Sequence, residues 1–308
     1  MVAAFVGDAR QIERVFFGGR IEAIAARCEL LPGMYSQEDL GRLAEVEAIF
    51  STWGMPALTS AQLEAMPSLE VVFYAAGTVA YFAEPFLARG IRISSAWRAN
   101  AVPVAEFVVS QILLACKGYF HDIRDIKTKA PGAYGESVAL LGAGAVGTAV
   151  IEMLRHHRLD VIVYDPFLSE ARAAELGVRQ VSLEEAFQQA FIVSNHLLDV
   201  PATTHLIRGE HLSAMRPGAT FINTGRGGTV RHDEMTDVLT ARMDLFALLD
   251  VTDPEPLPSS NPLRQLPNVL VSSHIAGSIG QEVGRMADLM IEELNRYLSG
   301  DSLLHEVA

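Results

Sequence analysis

Three residues in the second half of the chain carry the groups that reduction of a 2-oxo acid requires: Arg226, Glu255 and His274. A guanidinium grips a carboxylate through two parallel hydrogen bonds and polarises the neighbouring carbonyl. An imidazolium supplies a proton as hydride arrives, and a carboxylate keeps that imidazole oriented and protonated. Each of the three follows an apolar run. Thr220 to Asn223 leads into Thr224-Gly225-Arg226-Gly227-Gly228, Leu245 to Asp250 into Asp253-Pro254-Glu255-Pro256, and Val269 to Ser273 into His274. As strands of an open parallel sheet, these runs bring Arg226, Asp250, Glu255 and His274 to the carboxyl edge, where such sheets bind ligands. His196, after the run Phe191 to Asn195, ends a fourth strand.

Upstream lies Gly142-x-Gly144-x-x-Gly147, between an apolar strand, Val138 to Leu141, and a helix expected to run to about His157. A second strand, Val161 to Tyr164, ends in Asp165, 23 residues after Gly142. That is the spacing of a dinucleotide-binding βαβ unit. Gly142 permits the tight turn, Gly144 lets the backbone approach a pyrophosphate, and Gly147 lets helix and strand pack. With Ala145 and Val146 they form a helix amino terminus that attracts phosphates. Asp165 is expected to accept hydrogen bonds from ribose hydroxyls and to repel the extra phosphate of NADP, so the expected cofactor is NAD. Arg172 is the basic residue that could serve a phosphate instead.

The elements that must position these residues fall into two series. From Val2 to about Ser94 short apolar runs alternate with amphipathic stretches: Ala48 to Trp53, Ser60 to Met66, Leu69 to Ala76, Phe82 to Arg89 and Ile91 to Ser94. That reads as strand, helix, strand, helix, strand, a parallel sheet covered on both faces. Thr59 with Gln62 is a capping-box signal, and Gly90 sits where a helix-ending glycine belongs. A long helix is expected from Ala101, with Pro103 in its first turn and Val104, Phe107, Val108, Ile112 and Ala115 on one buried face. After a loop containing Pro131, the second series opens at Val138. Val283, Met286, Met290, Leu294 and Tyr297 mark a final helix that Gly300 closes.

At 308 residues the chain has the length of two domains. Its 50% apolar and 20% charged content excludes disorder. The longest run without Asp, Glu, Lys or Arg is Gln265 to Gln281, 17 residues, so no membrane span is expected. The amino terminus lacks a basic start and meets Asp8 early, which argues against a secretory signal and for the cytoplasm. Cys28 and Cys116 form no CxxC pair, so neither a disulfide nor a metal site is expected, and both read as buried thiols. A net charge of −13 repels nucleic acid and anionic membranes. An anionic substrate then needs a specific arginine to capture it.

The chain resembles the D-isomer-specific 2-hydroxyacid dehydrogenase family over nearly its whole length. The likeness rests on Asn100 with Val104-Ala105-Glu106, on Gly142 to Gly147 and Asp165, on Asn223 to Gly228, on Asp250-Val251 through Glu255-Pro256-Leu257, and on Asn268-Val269 through His274-Ile275-Ala276-Gly277. The resemblance implies an NAD-dependent enzyme that moves hydride between NADH and a small 2-oxo acid to give a D-2-hydroxy acid. Arg226 would bind the carboxylate, His274 would be the acid and base, and Glu255 would support His274. Thr224, Gly225 and Asp250 would lie near the nicotinamide half of NAD, and Ala76, Gly77 and Thr78 would bind substrate. The implied fold is a Rossmann NAD-binding domain, residues 101–274, inserted into a flavodoxin-like substrate domain, residues 1–100 and 275–308. Relatives pair through their nucleotide domains, so a homodimer is expected.

The chain departs from the family at two places. Gly77-Thr78-Val79-Ala80-Tyr81 stands where relatives read Gly-Val-Gly-x-Asp, and Leu198 and Val200 replace a Pro and a Thr. Trp53 either walls the substrate pocket or fills a core. Two other readings use the same architecture: a noncatalytic NAD(H)-sensing corepressor, and formate dehydrogenase, in which a Gln stands where Glu255 stands here. No regulatory domain follows Ala308, so control by one is not expected.

Overall fold

The computed structural model describes residues 1–307. The chain divides into two compact units, residues 1–100 with the segment from Ser278 onward, and residues 101–277.

The first unit is built on β1 (Val2–Val6), β2 (Glu29–Tyr35), β3 (Ala48–Ser51), β4 (Val71–Tyr74) and β5 (Arg92–Ser95), in the order β2-β1-β3-β4-β5. All neighbours run parallel. This is the flavodoxin-like winding, with its reversal beside β1. β3 and β4 are wholly buried, as sheets covered on both faces require. One face packs an aromatic cluster of Phe5, Phe16, Phe50 and Phe73 against Val283, Met286, Met290 and Leu294 of the final helix, Val283–Leu298. Sequence reading passed over β2, which carries Pro32 and Gly33. It is an edge strand, where Pro is tolerated because one side of the ladder has no partner to lose.

The carboxyl-terminal segment returns to this unit through Glu293, which is 1% exposed. Its carboxylate accepts from the Ser94 hydroxyl at 2.8 Å and from the amides of Leu304 and His305, each at 3.1 Å. Three donors offset the cost of burying a charge. They tie the tail to β5, where Ser94 forms a bridge with Glu306.

The second unit contains β6 (Ser137–Leu141), β7 (Asp160–Tyr164), β8 (Arg179–Gln180), β9 (Ile192–Asn195), β10 (Thr220–Asn223), β11 (Phe246–Leu249) and β12 (Val269–Val271). The order is β12-β11-β10-β9-β6-β7-β8, again all parallel. This is the doubly wound dinucleotide-binding order with one further strand, and its switch point lies between β6 and β9.

Several expectations need correction. The long helix spans Trp97–Cys116, so it starts four residues before Ala101 and holds Pro103 in its interior rather than its first turn. Its 20 residues pass a test of length and composition alone for crossing a membrane, with Arg98 and Glu106 inside the helix. Half of that stretch is buried, and Val104, Ala105, Val108, Ile112 and Ala115 lie in the core of the second unit. The helix after Gly144 ends at Leu154, short of His157. Cys116 is buried, but Cys28 is only partly so. The later crossover lies after Gly277 and not at Ile275, because the amides of Ile275 and Ala276 donate to Asp250 of the second unit.

Asn268, fully buried just before β12, shows how the sheet is pinned. Its amide donates to the carbonyls of Leu239 at 3.0 Å, Leu245 at 3.1 Å and Arg242 at 3.4 Å, which end the helix His232–Ala241 and lead into β11. Asn268→Ala leaves these acceptors dry and is expected to cost roughly 1–3 kcal/mol. A urea titration followed by near-ultraviolet circular dichroism checks this, and an unchanged midpoint would remove Asn268 from the stability account.

Candidate active site

The fingerprint loop meets its geometric requirements. Gly142 has φ +99°, a region that L side chains rarely enter. A Cβ on Gly147 would lie 2.0 Å from the Gly142 carbonyl oxygen, so only glycine lets this helix sit on this turn. Beside Gly144 no atom lies within 4 Å of the place a Cβ would take. That open cradle at the amino terminus of the helix Ala145–Leu154 fits a pyrophosphate. The Asp165 carboxylate accepts from the amides of Ala143 and Phe167, each at 2.8 Å, which fixes the β7 turn against the fingerprint and leaves lone pairs for further donors. Arg172 is engaged elsewhere, paired with Glu175 at 2.7 Å.

Where β9 and β10 end, a buried polar network replaces the sheet ladder. Asn195 donates to the side-chain oxygens of Asn223 at 3.0 Å and Thr229 at 2.8 Å, and Asn223 accepts the Gly225 amide at 3.1 Å. The Thr229 hydroxyl donates to the Arg226 carbonyl at 2.7 Å. The Arg226 backbone is thereby held from both sides, while among the described residues its guanidinium bonds only to the Gly225 carbonyl, at 2.8 Å. Most of its donors remain for a ligand. Gly227 has no room for a side chain, since a Cβ there would meet the Thr252 backbone at 2.1 Å. The Arg226 loop therefore packs on the loop that follows β11.

That next loop carries Asp250 and Glu255. Asp250 is 3% exposed, and its carboxylate accepts from the Ser272 hydroxyl at 2.5 Å and the amides of Ile275 and Ala276 at 2.9 Å. Its carbonyl accepts the His274 amide at 3.0 Å. Asp250 thus braces the turn that presents His274, a residue at φ +58° in the left-handed region. The His274 Nδ1 meets Glu255 Oε1 at 2.5 Å, with both side chains partly open to solvent at 49% and 40% exposure. Nε2 is the nitrogen left for a substrate. A cavity of about 250 Å³ adjoins the pair, and Arg264 lines it while donating through Nε and Nη2 to the Leu257 carbonyl.

The structure brings His274 and Glu255 into contact and seats Arg226 and Thr224 on the adjacent strand end. No hydrogen bond joins Arg226 to either of the pair among the described residues. Sequence reasoning missed two supports, Ser272 and Arg264, and marked His196 only as a strand end. His196 lies between the hydroxyls of Ser194 at 3.0 Å and Thr224 at 3.3 Å, and burial pushes its imidazole down to about 3, so it is neutral. Its position at a strand end was the only signal in the sequence. His156 and His157 are exposed beyond a helix end, as expected. The loop with Leu198 and Val200 closes on itself through Thr203 and Thr204, leaving Leu198 69% exposed.

In the first unit, Ala76, Gly77 and Thr78 follow β4. The Ser95 hydroxyl donates to the Ala76 carbonyl at 2.9 Å and the Gly77 carbonyl at 2.6 Å. In a trans peptide the N–H points opposite the C=O, so the amides of Gly77 and Thr78 face away from Ser95. The loop ends with the Tyr81 hydroxyl 3.3 Å from that of buried Tyr74. Of the two readings of Trp53, the core one has support: it packs on the unit's two cores, stays partly exposed, and carries the Arg14 guanidinium 5.5 Å from its ring centre.

Comparison with known proteins agrees with this geometry. Residues 117–276, just over half of the chain, match the model of the D-isomer specific 2-hydroxyacid dehydrogenase NAD binding domain. The D-3-phosphoglycerate dehydrogenase of Mycobacterium tuberculosis is 29% identical over 248 residues, 78% of this chain. The chain spans about half of that relative's length, 47%. The glyoxylate reductase of Korarchaeum cryptofilum is 27% identical over 273 residues, covering 84% of this chain and 82% of the relative. Among solved structures, a phosphoglycerate oxidoreductase from Rhizobium etli superposes with a TM-score of 0.84 at 22% identity, over 100% of this chain and 98% of that one. D-mandelate dehydrogenase of Rhodotorula graminis gives 0.82 at 20% identity, over 100% and 97%. At these identities the two structures speak for the fold. The sequence match, the winding of both sheets and the fingerprint cradle agree that the chain belongs to the D-isomer specific 2-hydroxyacid dehydrogenase family and carries its NAD-binding domain.

Proposed function

We propose that this chain is an NAD-dependent reductase of a small 2-oxo acid, giving a D-2-hydroxy acid. The observation that carries the reading is the contact of His274 Nδ1 with Glu255 at 2.5 Å beside the ends of β11 and β12. When bound, NADH supplies the hydride. The chain's residues do the rest. Arg226 holds the substrate carboxylate through its free donors and polarises the adjacent carbonyl. His274 delivers a proton from Nε2 to the oxygen that becomes the hydroxyl, and Glu255 fixes the ring so that Nε2 faces that oxygen. His196 keeps the Thr224 hydroxyl in place without adding charge. We assign Ala76, Gly77 and Thr78 to substrate binding because the outward amides of Gly77 and Thr78 suit an anion. Asp165 favours NADH over NADPH by charge repulsion, and Arg172, paired with Glu175, is not available to offset it. A homodimer, the commonest assembly, completes the reading.

The deciding experiment follows NADH oxidation against glyoxylate, hydroxypyruvate, its 3-phosphate and bulkier 2-oxo acids. Turnover of at least one is expected. Uniform inactivity with NADH binding intact would favour the NAD(H)-sensing corepressor instead.

Arg226→Lys is expected to lower kcat/KM by on the order of 10²-fold or more with little change in NADH affinity, since an ammonium makes no two-pronged grip. Steady-state kinetics with fluorescence titration of NADH reads both quantities, and near wild-type efficiency would place the carboxylate anchor elsewhere.

For the pair, Glu255→Gln is expected to reduce kcat by roughly 10²–10⁴-fold, the usual worth of general acid catalysis, with KM nearly constant. A primary isotope effect from deuterated NADH shows whether the chemical step was slowed. A fall confined to KM would make Glu255 a loop residue with no part in proton transfer.

A further inference from the structure

β5 is the last strand of its sheet, so one side of its backbone ladder has no strand to pair with. The segment Leu303 to Val307 takes that place. The Val307 amide donates to the Ile93 carbonyl at 2.8 Å, Ser94 bridges Glu306 in the antiparallel sense, and the Ser95 amide donates to the His305 carbonyl at 3.0 Å. Ser95, wholly buried at the end of β5, is also the residue whose hydroxyl holds the Ala76 and Gly77 carbonyls. Its amide answers to the segment and its hydroxyl to the loop after β4.

What fixes His305 is Glu293. The His305 ring gives no hold through Nδ1, which is buried without a partner among the described residues. The fork of Arg92 on Glu306 is partly open to solvent on both sides, where such pairs are weak. Glu293, by contrast, is buried and accepts the His305 amide directly, together with the Leu304 amide and the Ser94 hydroxyl. None of these donors is a cation. A buried carboxylate satisfied by neutral donors fixes their directions, because each bond lost leaves charge unsolvated.

We infer that Glu293 is a positioning residue for the substrate: acting through His305 and Ser95, it sets the direction of the Gly77 and Thr78 amides. The inference rests on the proposed assignment of those amides to substrate binding. Every step of the relay is a hydrogen bond within the first unit: His305 amide to Glu293 carboxylate, Ser95 amide to His305 carbonyl, and Ser95 hydroxyl to the two carbonyls whose peptides carry the outward amides. A hydroxyl has one proton to share between two carbonyls. A small turn of Ser95 therefore favours one over the other and tilts the peptide plane.

The test compares Glu293→Met, which keeps the side-chain length and removes every acceptor, with Glu293→Gln, whose amide oxygen has the two lone pairs that His305 and Ser94 need. In the Met variant, hydrogen exchange read by mass spectrometry is expected to be about tenfold faster or more at amides 76–80. Its KM for the 2-oxo acid turned over best is expected to rise about fivefold or more, with kcat and NADH affinity within about twofold of the unaltered chain. The Gln variant is expected to stay within about twofold in all of these. Ser95→Ala is expected to raise KM at least as far as Glu293→Met, and the double variant no further, since both act through one hydroxyl. Should the Met variant fail to fold, Glu293→Asp, one methylene shorter, draws the carboxylate back from His305 and is read by the same measures. Unchanged exchange at 76–80 overturns the proposal without need of any substrate, and so does a double variant in which the two effects multiply. Faster exchange with KM unmoved also overturns it, by taking Gly77 and Thr78 out of substrate binding. Inactivity of the unaltered chain toward every 2-oxo acid overturns the functional reading and this role with it, and the exchange result tells that failure from failure of the relay.

Discussion

A parallel sheet stops abruptly, and where each strand ends, backbone groups that would have continued the ladder lose their partners while still buried. The second unit meets this constraint with short polar side chains at the last ladder positions or just beyond them. Asn195 and Asn223, opposite each other in the register of β9 and β10, bond side chain to side chain and take over the amides of Leu197 and Gly225. Asp250 does the same beyond β11, accepting from Ser272, Ile275 and Ala276. Each unmet group would cost about 1–3 kcal/mol, so these side chains are as much part of the fold as the core.

The candidate site residues sit a few positions beyond those anchors, Arg226 three after Asn223 and Glu255 five after Asp250. Arg226 has its own carbonyl pinned by Thr229, and His274 lies on a turn braced by Asp250. Such anchoring allows His274 to occupy the left-handed region, an expense of order 1–3 kcal/mol that a free loop would relax. Rigidity here is in the backbone. The guanidinium of Arg226 and the imidazole of His274 keep unsatisfied donors or acceptors, which is what a site needs before its ligand arrives.

The first unit uses the same device more sparingly. Thr52 donates to the carbonyl of Ala75, and Ser95 donates to those of Ala76 and Gly77 and so turns the amides of Gly77 and Thr78 outward. The departure at Thr78 to Tyr81 from the family pattern is absorbed by aromatic packing, with Tyr81 on Phe82 at 5.0 Å and its hydroxyl at Tyr74.

By itself the sequence determined most of the element types, the fingerprint and the candidate groups for chemistry. Those signals are local: an apolar run, a glycine spacing, a polar residue at a strand end. It foresaw Asp165 beside Gly142, and the pairing of Glu255 with His274 through family likeness. It misplaced the start of the long helix, because Trp97 to Asn100 carry no cap or periodic signal and are helical through packing of Ala99 and hydrogen bonding of Asn100 to Ser278. It passed over β2, since Pro32 and Gly33 argue against a strand until the strand is known to be at an edge. Tertiary structure alone decided that Asp250 spends its carboxylate on the His274 turn and that His196 meets the Thr224 hydroxyl. Each of these depends on which strands are neighbours and how closely their ends approach, and a one-dimensional pattern carries no distance between residues 20 or more apart in the chain.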